Sequence, residues 1–309
     1  MTKVIEVRNL HKEYGPTVAV DDVSFSVSEG EIFGILGPNG AGKTTSVECV
    51  EGLRAADRGT ISVLGLDPRR DRDELTQLLG AQLQESQLPE KITVSEVMDL
   101  YSSFYRNPAD WRELMAQLGL ADKARTRFRK LSGGQKQRLS IALALVGNPR
   151  VAVLDELTTG LDPQARRGTW ELIEGVRDRG VTIVLVSHFM EEAERLCDRV
   201  AVINAGRVVV TDTPATLAER SGAGQRIAFQ PSAPLGDELL TSLPEVTSVV
   251  HRGDGVVVTG TGDVVSAVMS VLARHQVVAR QLRVDQASLE DAFLELIGRR
   301  PKDAESGEE

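Results

Sequence analysis

The segment Gly37–Thr45, which reads Gly-Pro-Asn-Gly-Ala-Gly-Lys-Thr-Thr, constrains the fold of this 309-residue chain more than any other segment. It matches the phosphate-cradling pattern G-x-x-x-x-G-K-[ST], follows the apolar run Ile32–Leu36 and precedes a predicted helix. Lys43 would reach the β- and γ-phosphates of a nucleoside triphosphate, and the Thr44 hydroxyl would ligate Mg²⁺. The glycines would let backbone N–H groups close on the phosphates at the positive end of the helix dipole. The residues expected to contact the nucleotide are Gly37, Pro38, Asn39, Gly40, Ala41, Gly42, Lys43, Thr44 and Thr45.

Short apolar runs alternate with helical patterns along most of the chain, which predicts an α/β core with a largely parallel sheet. The predicted strands are Val4–Arg8, Val23–Val27, Glu31–Leu36, Thr60–Val63, Val151–Leu154, Val181–Val186 and Arg199–Ile203. Between residues 86 and 149 the alternation stops. Helical patterns dominate there, at Val94–Phe104, Trp111–Leu118 and Gln135–Val146. We therefore expect a helical subdomain, about residues 86–149, inserted into a sheet domain that spans residues 1–220.

A turn-rich stretch over residues 211–224 marks a domain boundary. Residues 221–298 then carry strand and helix patterns that predict a small α+β accessory domain. Its last helix follows Ser288-Leu289-Glu290-Asp291, which resembles a capping box. Residues 299–309 are acidic, and we expect them to form a disordered tail.

Charge and cysteine content limit the function classes. A net charge of −9 argues against a basic nucleic-acid-binding protein. Cys49 and Cys197 lie in separate predicted helices among apolar residues, which predicts reduced, buried thiols rather than a disulfide or a metal site. The N-terminus enters a strand pattern at once, so we expect no signal peptide, and no apolar run is long enough to span a bilayer. These features predict a cytosolic chain.

An acidic pair, Asp155-Glu156, follows the apolar strand pattern Val151–Leu154. An acid at the carboxyl end of a buried strand beside a phosphate loop suits a metal ion, directly or through water. Glu156 suits orientation or deprotonation of an attacking water. The pair therefore predicts nucleotide hydrolysis, with Asp155 at the metal and Glu156 as the catalytic carboxylate.

A second glycine-rich segment, Leu131-Ser132-Gly133-Gly134-Gln135, lies directly upstream of a predicted helix. Ser132 is placed to cap that helix, but a cap does not explain the residues that follow it. With Gly37–Thr45 and Asp155-Glu156, this segment resembles the signature of ATP-binding-cassette (ABC) ATPases. The resemblance implies a P-loop NTPase (RecA-like) sheet core, with ATP and Mg²⁺ as cofactors. It also implies a head-to-tail homodimer in which Ser132, Gly133, Gly134 and Gln135 face the ATP held by the partner subunit.

Four further positions fit the same resemblance. Tyr14, in a predicted loop after the first strand, resembles the aromatic residue that stacks on adenine, and Asp162 resembles a residue that crosses the dimer interface. Gln84 resembles the glutamine that touches Mg²⁺ and senses the permease, although Gln82 and Gln87 are close enough to leave the register open. His188 resembles the histidine that acts at the γ-phosphate. Leu157 departs from the family, which usually has proline there, and we expect only a slightly altered turn.

The segments His188–Glu194 and Ala287–Leu294 narrow the resemblance to the daunorubicin-resistance type of bacterial export ATPase. This narrower resemblance implies that the chain is the ATP-hydrolysing subunit of an exporter of drug, antibiotic or lipid-like cargo. Such a subunit is expected at the cytoplasmic face of the inner membrane, bound to a separately encoded permease, with no span of its own and no nucleic-acid partner. The alternatives are an importer ATPase, a soluble non-transport ABC ATPase acting on DNA or ribosomes, and a module that only senses ATP.

Overall fold

The computed structural model describes residues 2–82, 88–220, 224–285 and 288–298. It divides the chain into two compact units between Thr213 and Pro214. The sequence predicts this boundary seven residues later, after residue 220. The helix Pro214–Arg220 packs on the last helix of the second unit, so it belongs to that unit.

The first unit is built on a nine-stranded sheet with the strand order β4-β1-β2-β9-β8-β3-β7-β6-β5. Its strands are β1 (Lys3–Tyr14), β2 (Thr17–Ser28), β3 (Ile32–Leu36), β4 (Arg58–Val63), β5 (Leu79–Gln82), β6 (Val151–Asp155), β7 (Thr182–Ser187), β8 (Arg199–Asn204) and β9 (Arg207–Asp212). Its helices are α1 (Lys43–Val50), α2 (Arg72–Leu75), α3 (Val94–Ser102), α4 (Trp111–Gln117), α5 (Gly133–Leu145), α6 (Pro163–Asp178) and α7 (Met190–Leu196). Two short 3₁₀ turns, Ala121–Lys123 and Phe128–Lys130, lie between α4 and α5.

The centre of the sheet is parallel because its strands are apolar on both faces. Every residue of β3, β6 and β7 is buried, as expected for strands covered by helices on both sides. β3 pairs in parallel with β7 and β8, and β6 pairs in parallel with β5 and β7. The α/β core predicted from the sequence is therefore confirmed.

The other side of the sheet is antiparallel and differs from the sequence prediction. β1 pairs antiparallel with β2 and β4, and both β1 and β2 extend several residues beyond their predicted limits. Each extension contains one fully buried apolar residue, Leu10 or Val20, among residues that are at least partly exposed, so the hydrophobic alternation that marks a strand is short. β5 and β9 were not predicted either, because β5 is only four residues long and β9 begins in a turn-rich stretch.

The helical subdomain contains α3, α4 and α5, close to the three predicted helices. Each begins with an N-cap that the sequence supplies. The Thr93 and Ser132 side chains form capping boxes with Glu96 and Gln135, and Asp110 caps α4. These caps satisfy amides that the first turn of each helix would leave unpaired.

The second unit has a four-stranded antiparallel sheet in the order β11-β12-β10-β13. Its elements, in chain order, are α8 (Pro214–Arg220), β10 (Gln225–Pro231), α9 (Asp237–Thr241), β11 (Val246–Arg252), β12 (Gly255–Gly260), α10 (Val264–Arg274), β13 (Ala279–Asp285) and α11 (Leu289–Gly298). The order β-α-β-β-α-β from β10 to β13 is ferredoxin-like. The capping box before α11 is confirmed, since Ser288 and Asp291 exchange backbone-to-side-chain hydrogen bonds.

The cysteines and the helix lengths agree with the sequence analysis. Cys49 and Cys197 are free and buried, although Cys197 directly follows α7 instead of lying inside a helix. Within the described ranges, no helix combines the length and the apolar character that a bilayer span requires.

Gly80 of β5 packs closely against α5 of the helical subdomain. A Cβ atom on Gly80 would lie 1.9 Å from the Ala144 carbonyl oxygen of α5 and 3.1 Å from Pro149. We expect Gly80→Ala to lower the stability of the first unit by about 1–3 kcal/mol, because α5 would have to move away from β5. The measurement is the thermal midpoint of the first unit by differential scanning calorimetry.

The matched control is Gly175→Ala on α6, where a Cβ would meet no described atom within 4 Å. There the same methyl group should stabilise the helix by about 0.5–1 kcal/mol. Equal midpoints for the two variants would contradict the close packing of α5 on β5.

Candidate nucleotide site

An open cavity of about 490 Å³ lies at the carboxyl ends of β6 and β7, beside the turn between β3 and α1. This is the edge of an α/β sheet at which ligands generally bind. The lining residues are Thr17, Val18, Ala19, Asn39, Gly40, Gly42, Lys43, Thr44, Thr45, Asp155, Glu156, Val186 and Ser187. Most of the predicted phosphate-loop residues and both predicted carboxylates therefore meet around one cavity.

The glycines of the phosphate loop are required by its geometry. Gly40 and Gly42 have φ of 79° and 97°, which side chains other than glycine rarely adopt. At Gly42 a Cβ would also lie 2.4 Å from the Ala19 carbonyl oxygen, and at Gly37 it would lie 2.2 Å from that of Ile203. The loop can close around an anion only because these positions have no side chain.

Lys43 is the first residue of α1, and its ammonium group is held inside the loop. Its Nζ donates hydrogen bonds to the carbonyl oxygens of Gly37 at 2.6 Å and Pro38 at 3.0 Å. Burial lowers the pKa of Lys43, while the negative charges of Asp155 and Glu156 act in the opposite direction. The ammonium group lies at the N-terminus of α1, where an anion would be stabilised by the ammonium charge and by the helix dipole.

The acidic pair and His188 converge at the ends of β6 and β7. Asp155 is buried as the last residue of β6, and the Glu156 amide continues the ladder by donating to the Val186 carbonyl oxygen at 2.9 Å. Glu156 then adopts a left-handed conformation with φ of 51°, which turns its side chain away from the strand direction. His188 Nδ1 lies 3.4 Å from Glu156 Oε1. Leu157 follows with its side chain fully buried.

Several acidic side chains lie close together in this part of the core. Burial, reinforced by Glu156, raises the pKa of Asp155 to about 6. Burial likewise raises the pKa of Glu51, at the end of α1, to about 8, with Asp155 and Glu48 adding repulsion. A cation bound at Asp155 would relieve this repulsion.

The residues present fit a nucleoside triphosphate and Mg²⁺. The Cβ-free turn, the first amides of α1 and Lys43 form a cradle for phosphate oxygens. The Thr44 hydroxyl and the Asp155 carboxylate line the same cavity and are hard oxygen donors, which Mg²⁺ prefers. Mg²⁺ commonly takes few protein ligands and completes its shell with phosphates and water.

The second glycine-rich segment does not line this cavity. Ser132 is the N-cap of α5, with its hydroxyl accepting from the Gln135 amide at 3.3 Å and Gln135 Oε1 accepting from the Ser132 amide at 3.0 Å. The cap that the sequence predicted is thus present. Asp162 similarly caps α6 by accepting from the amides of Gln164 and Ala165.

Tyr14 lies at the end of a strand, and one of the three glutamines considered in the sequence analysis is hydrogen-bonded to Asp155. Tyr14 is the last residue of β1, so the predicted loop is wrong, because the β1–β2 hairpin extends to this residue. Its half-exposed ring has Lys12 Nζ 5.5 Å and Arg54 Cζ 5.4 Å from its centroid. Gln84 and Gln87 lie outside the described residues. Gln82 is buried and donates from Nε2 to the Asp155 carbonyl oxygen at 3.4 Å.

Five residues of the cavity wall, among them Val186 of β7, were not singled out as site residues by the sequence analysis. Thr17, Val18 and Ala19 come from the start of β2, and Ser187 ends β7. Val18 is 49% exposed although it is apolar. An exposed valine directly after a turn gives no sequence signal, because only the fold places it beside the phosphate loop.

Comparisons with known proteins agree with this geometry. A family model described as ABC transporter matches residues 20–159. Nod factor export ATP-binding protein I of Ralstonia nicotianae is 36% identical over 98% of this chain and 96% of its own length. Linearmycin resistance ATP-binding protein LnrL of Bacillus subtilis is 32% identical over 97% of this chain and 100% of its own.

Solved structures resemble the first part of the chain. The ATP-binding subunit of an ABC transporter aligns with a TM-score of 0.64 at 28% identity, covering 71% of this chain and 93% of that one. A dimeric ATP-binding cassette in a post-hydrolysis state, bound to ADP and Pi, aligns with a TM-score of 0.61 at 26% identity. The alignment covers 68% of this chain and 98% of that one.

The raised pKa of Glu51 predicts a pH-dependent stability. The folded protein keeps this proton up to about pH 8, whereas the unfolded chain releases it near pH 4.5, so stability falls as pH rises through this window. We expect Glu51→Gln to remove this part of the loss, up to about 1.4 kcal/mol per pH unit. The measurement is denaturant unfolding of the protein without nucleotide or Mg²⁺ across the window.

Glu113→Gln is the control, since Glu113 is exposed on α4. It should leave the pH dependence unchanged. If Glu51→Gln follows the parent curve as closely as the control does, Glu51 does not titrate in the core.

Proposed function

The chain belongs to the ATP-binding-cassette transporter family and is an ATPase, and we propose that it drives export through a separate permease by binding and hydrolysing ATP between two copies of itself. The observation that carries the hydrolytic part is the placement of Glu156 Oε1 3.4 Å from His188 Nδ1, at the edge of the cavity formed by the Lys43 loop. The export part is supported by relatives that are named for export and for linearmycin resistance.

The roles of the residues follow from their chemistry. Lys43 and the amides of the loop hold the phosphates and neutralise their charge, which is most of what phosphoryl transfer requires from a protein. Thr44, Asp155 and Gln84 would hold Mg²⁺, which supplies charge neutralisation at the transferred phosphoryl group when bound. Glu156 orients and deprotonates the attacking water. His188 holds Glu156 in position relative to the γ-phosphate. Tyr14 would stack on the base.

The ATP site would be completed by a second copy. Ser132, Gly133, Gly134 and Gln135 begin a 13-residue helix away from the cavity of their own chain, where free amides and the helix dipole suit an anion. Each copy would offer this segment, with Asp162 beside it, to the ATP of the other copy in a head-to-tail dimer. Binding of ATP would close the dimer, and hydrolysis would reopen it.

A docking surface for the permease is available on the helical subdomain. Leu100 and Phe104 are 48% and 60% exposed, and the Phe104 ring lies 5.7 Å from that of Tyr101. Gln77 connects this patch to the sheet by donating to the Phe104 carbonyl oxygen at 3.2 Å and accepting from the Arg106 amide at 2.8 Å. A permease held on this patch and on the Gln84 segment would follow movements of the subdomain. We propose that the chain acts as a peripheral subunit at the cytoplasmic face of the membrane.

The other candidates are less well supported. An importer ATPase would share the nucleotide site, but the full-length relatives named above are not named for import. An ATPase acting on DNA or ribosomes would need a surface for nucleic acid, which a net charge of −9 disfavours. A module that only senses ATP would not need Glu156 and His188 in contact.

Glu156→Gln tests the hydrolytic assignment. The amide cannot accept a proton from water, so we expect ATP turnover to fall by about a hundredfold or more while ATP binding is kept. The variant should accumulate as an ATP-bound dimer, measured by size-exclusion chromatography with light scattering. Glu171→Gln, at an exposed position of α6, is the control. Unchanged turnover in Glu156→Gln would overturn the role of Glu156.

Phe104→Ser tests the docking surface. We expect the ATPase activity of the isolated subunit to stay unchanged, because Phe104 is not among the residues that line the nucleotide cavity. The fraction of the subunit that copurifies with membranes of the source cell should fall several-fold, since the variant loses apolar area at the docking surface. Val209→Ser, at a 44% exposed apolar position on β9, is the matched control. Equal membrane recovery of both variants would exclude this surface.

A further inference from the structure

Glu192 is a fully buried carboxylic acid to which the proposed hydrolytic cycle gives no role. It lies on α7, four residues after His188. Burial raises its pKa, while hydrogen-bond donors and Arg166 act against that shift. A carboxyl group in a core is costly unless polar groups compensate it, so its neighbours explain why it is tolerated.

The first neighbour is Ser187, which ends β7 directly before His188. The Ser187 hydroxyl donates to Glu192 Oε2 at 2.5 Å and accepts from the Phe189 amide at 3.0 Å. These two bonds bracket His188, because they fix the residue before it and the residue after it. Glu192 orients the hydroxyl by accepting its hydrogen bond, which leaves a lone pair of the hydroxyl oxygen for the Phe189 amide.

The second group of neighbours lies on the segment that follows Glu156. Thr158 and Trp170 are buried and interact favourably with the Glu192 carboxylate. Neither closes a hydrogen bond, since Thr158 Oγ1, Trp170 Nε1 and Glu192 Oε1 have no partner among the residues that the structure describes. Two buried donors of this segment thus interact with the buried Glu192 carboxylate without closing a hydrogen bond to it.

The Arg166 side chain adds a contact between the same two segments. Its guanidinium lies 5.1 Å from the centroid of the Phe189 ring, in a cation–π arrangement. The first turns of α6, which follow Asp162, are therefore packed on the residue next to His188. The segment that follows the acidic pair therefore contacts the turn that carries His188.

We infer that Glu192 is a positioning residue, which holds His188 opposite Glu156 through the Ser187 hydroxyl. The inference rests on the hydrolytic function proposed for Glu156 and His188. Glu192 is fully buried and is absent from the cavity lining, so its effect falls on the geometry of the reacting groups and not on nucleotide affinity. A displacement of about 1 Å in such a group can cost a hundredfold in rate.

The experiment compares Glu192→Leu, which removes both acceptor oxygens, with Ser187→Ala and the double variant in the full-length chain by steady-state ATP hydrolysis. We expect each single variant to lower kcat by about ten- to a hundredfold. For the Glu192 variant, whose site lies outside the cavity lining, KM and ATP affinity should change by no more than about twofold. The double variant should lose no more than the worse single variant, because both changes break one hydrogen-bonded chain. Ser187→Thr keeps the hydroxyl and should recover most of kcat.

Glu171→Leu is the control, since Glu171 is exposed on α6 and takes no part in the contacts described above. If Glu192→Leu matches this control while Glu156→Gln has lost turnover, the positioning role is wrong and the proposed function stands. If Glu156→Gln keeps turnover, the proposed function itself fails. Should Glu192→Leu lower the thermal midpoint, the comparison of Ser187→Ala with Ser187→Thr decides, and equal kcat for that pair would overturn the inference.

Discussion

The parallel pairing of β3, β7 and β6 is the constraint on which the rest of the nucleotide site depends. Leu36 pairs with Ser187 and Asp155 pairs with Val186, so the three strands end at nearly the same level. The phosphate loop, the acidic pair and the His188 turn each begin where one of these strands ends. Because the strands are buried on both faces, a slip in register would move charged residues into the core. The hydrophobic core therefore fixes the relative positions of the polar groups.

This placement concentrates acidic groups in the core and at its edge beside the cavity. Asp155, Glu51 and Glu192 are all buried, and burial raises the pKa of each. A different feature offsets the cost of burying each of these three carboxyl groups. Glu192 has Ser187 as a hydrogen-bond donor, Asp155 is close to Lys43, and Glu51 is relieved mainly by holding its proton. A divalent cation at Asp155 would favour the charged form of Asp155 and, through it, lessen the repulsion on Glu51.

The sequence predicted what depends on local pattern, and it missed what depends on tertiary contact. Apolar runs identified β3, β6 and β7, and the capping residues of α5 and α11 were visible as Ser132 and Ser288. The end of β1 was assigned to a loop, because its polar residues face solvent and only pairing with β2 makes them a strand. Val18 and Ser187 reach the cavity through pairings distant in sequence, so no local signal marks them. The Glu192–Ser187 bond was likewise hidden, since an acid in a polar helical segment suggests exposure.

The glycines of the second segment support a ligand that comes from outside the chain. A Cβ on Gly133 would meet no described atom within 4 Å, and one on Gly134 would make only an ordinary contact with Ala165 at 3.4 Å. Neither residue has positive φ, in contrast to Gly40 and Gly42 of the phosphate loop. Glycine in a helix costs roughly 1 kcal/mol relative to alanine, and nothing within the described chain requires it here. Ser132 and Gln135 already bond each other, so what the segment presents outward is bare backbone at a helix N-terminus. Close approach of a phosphate from a second copy, as proposed above, would account for that arrangement.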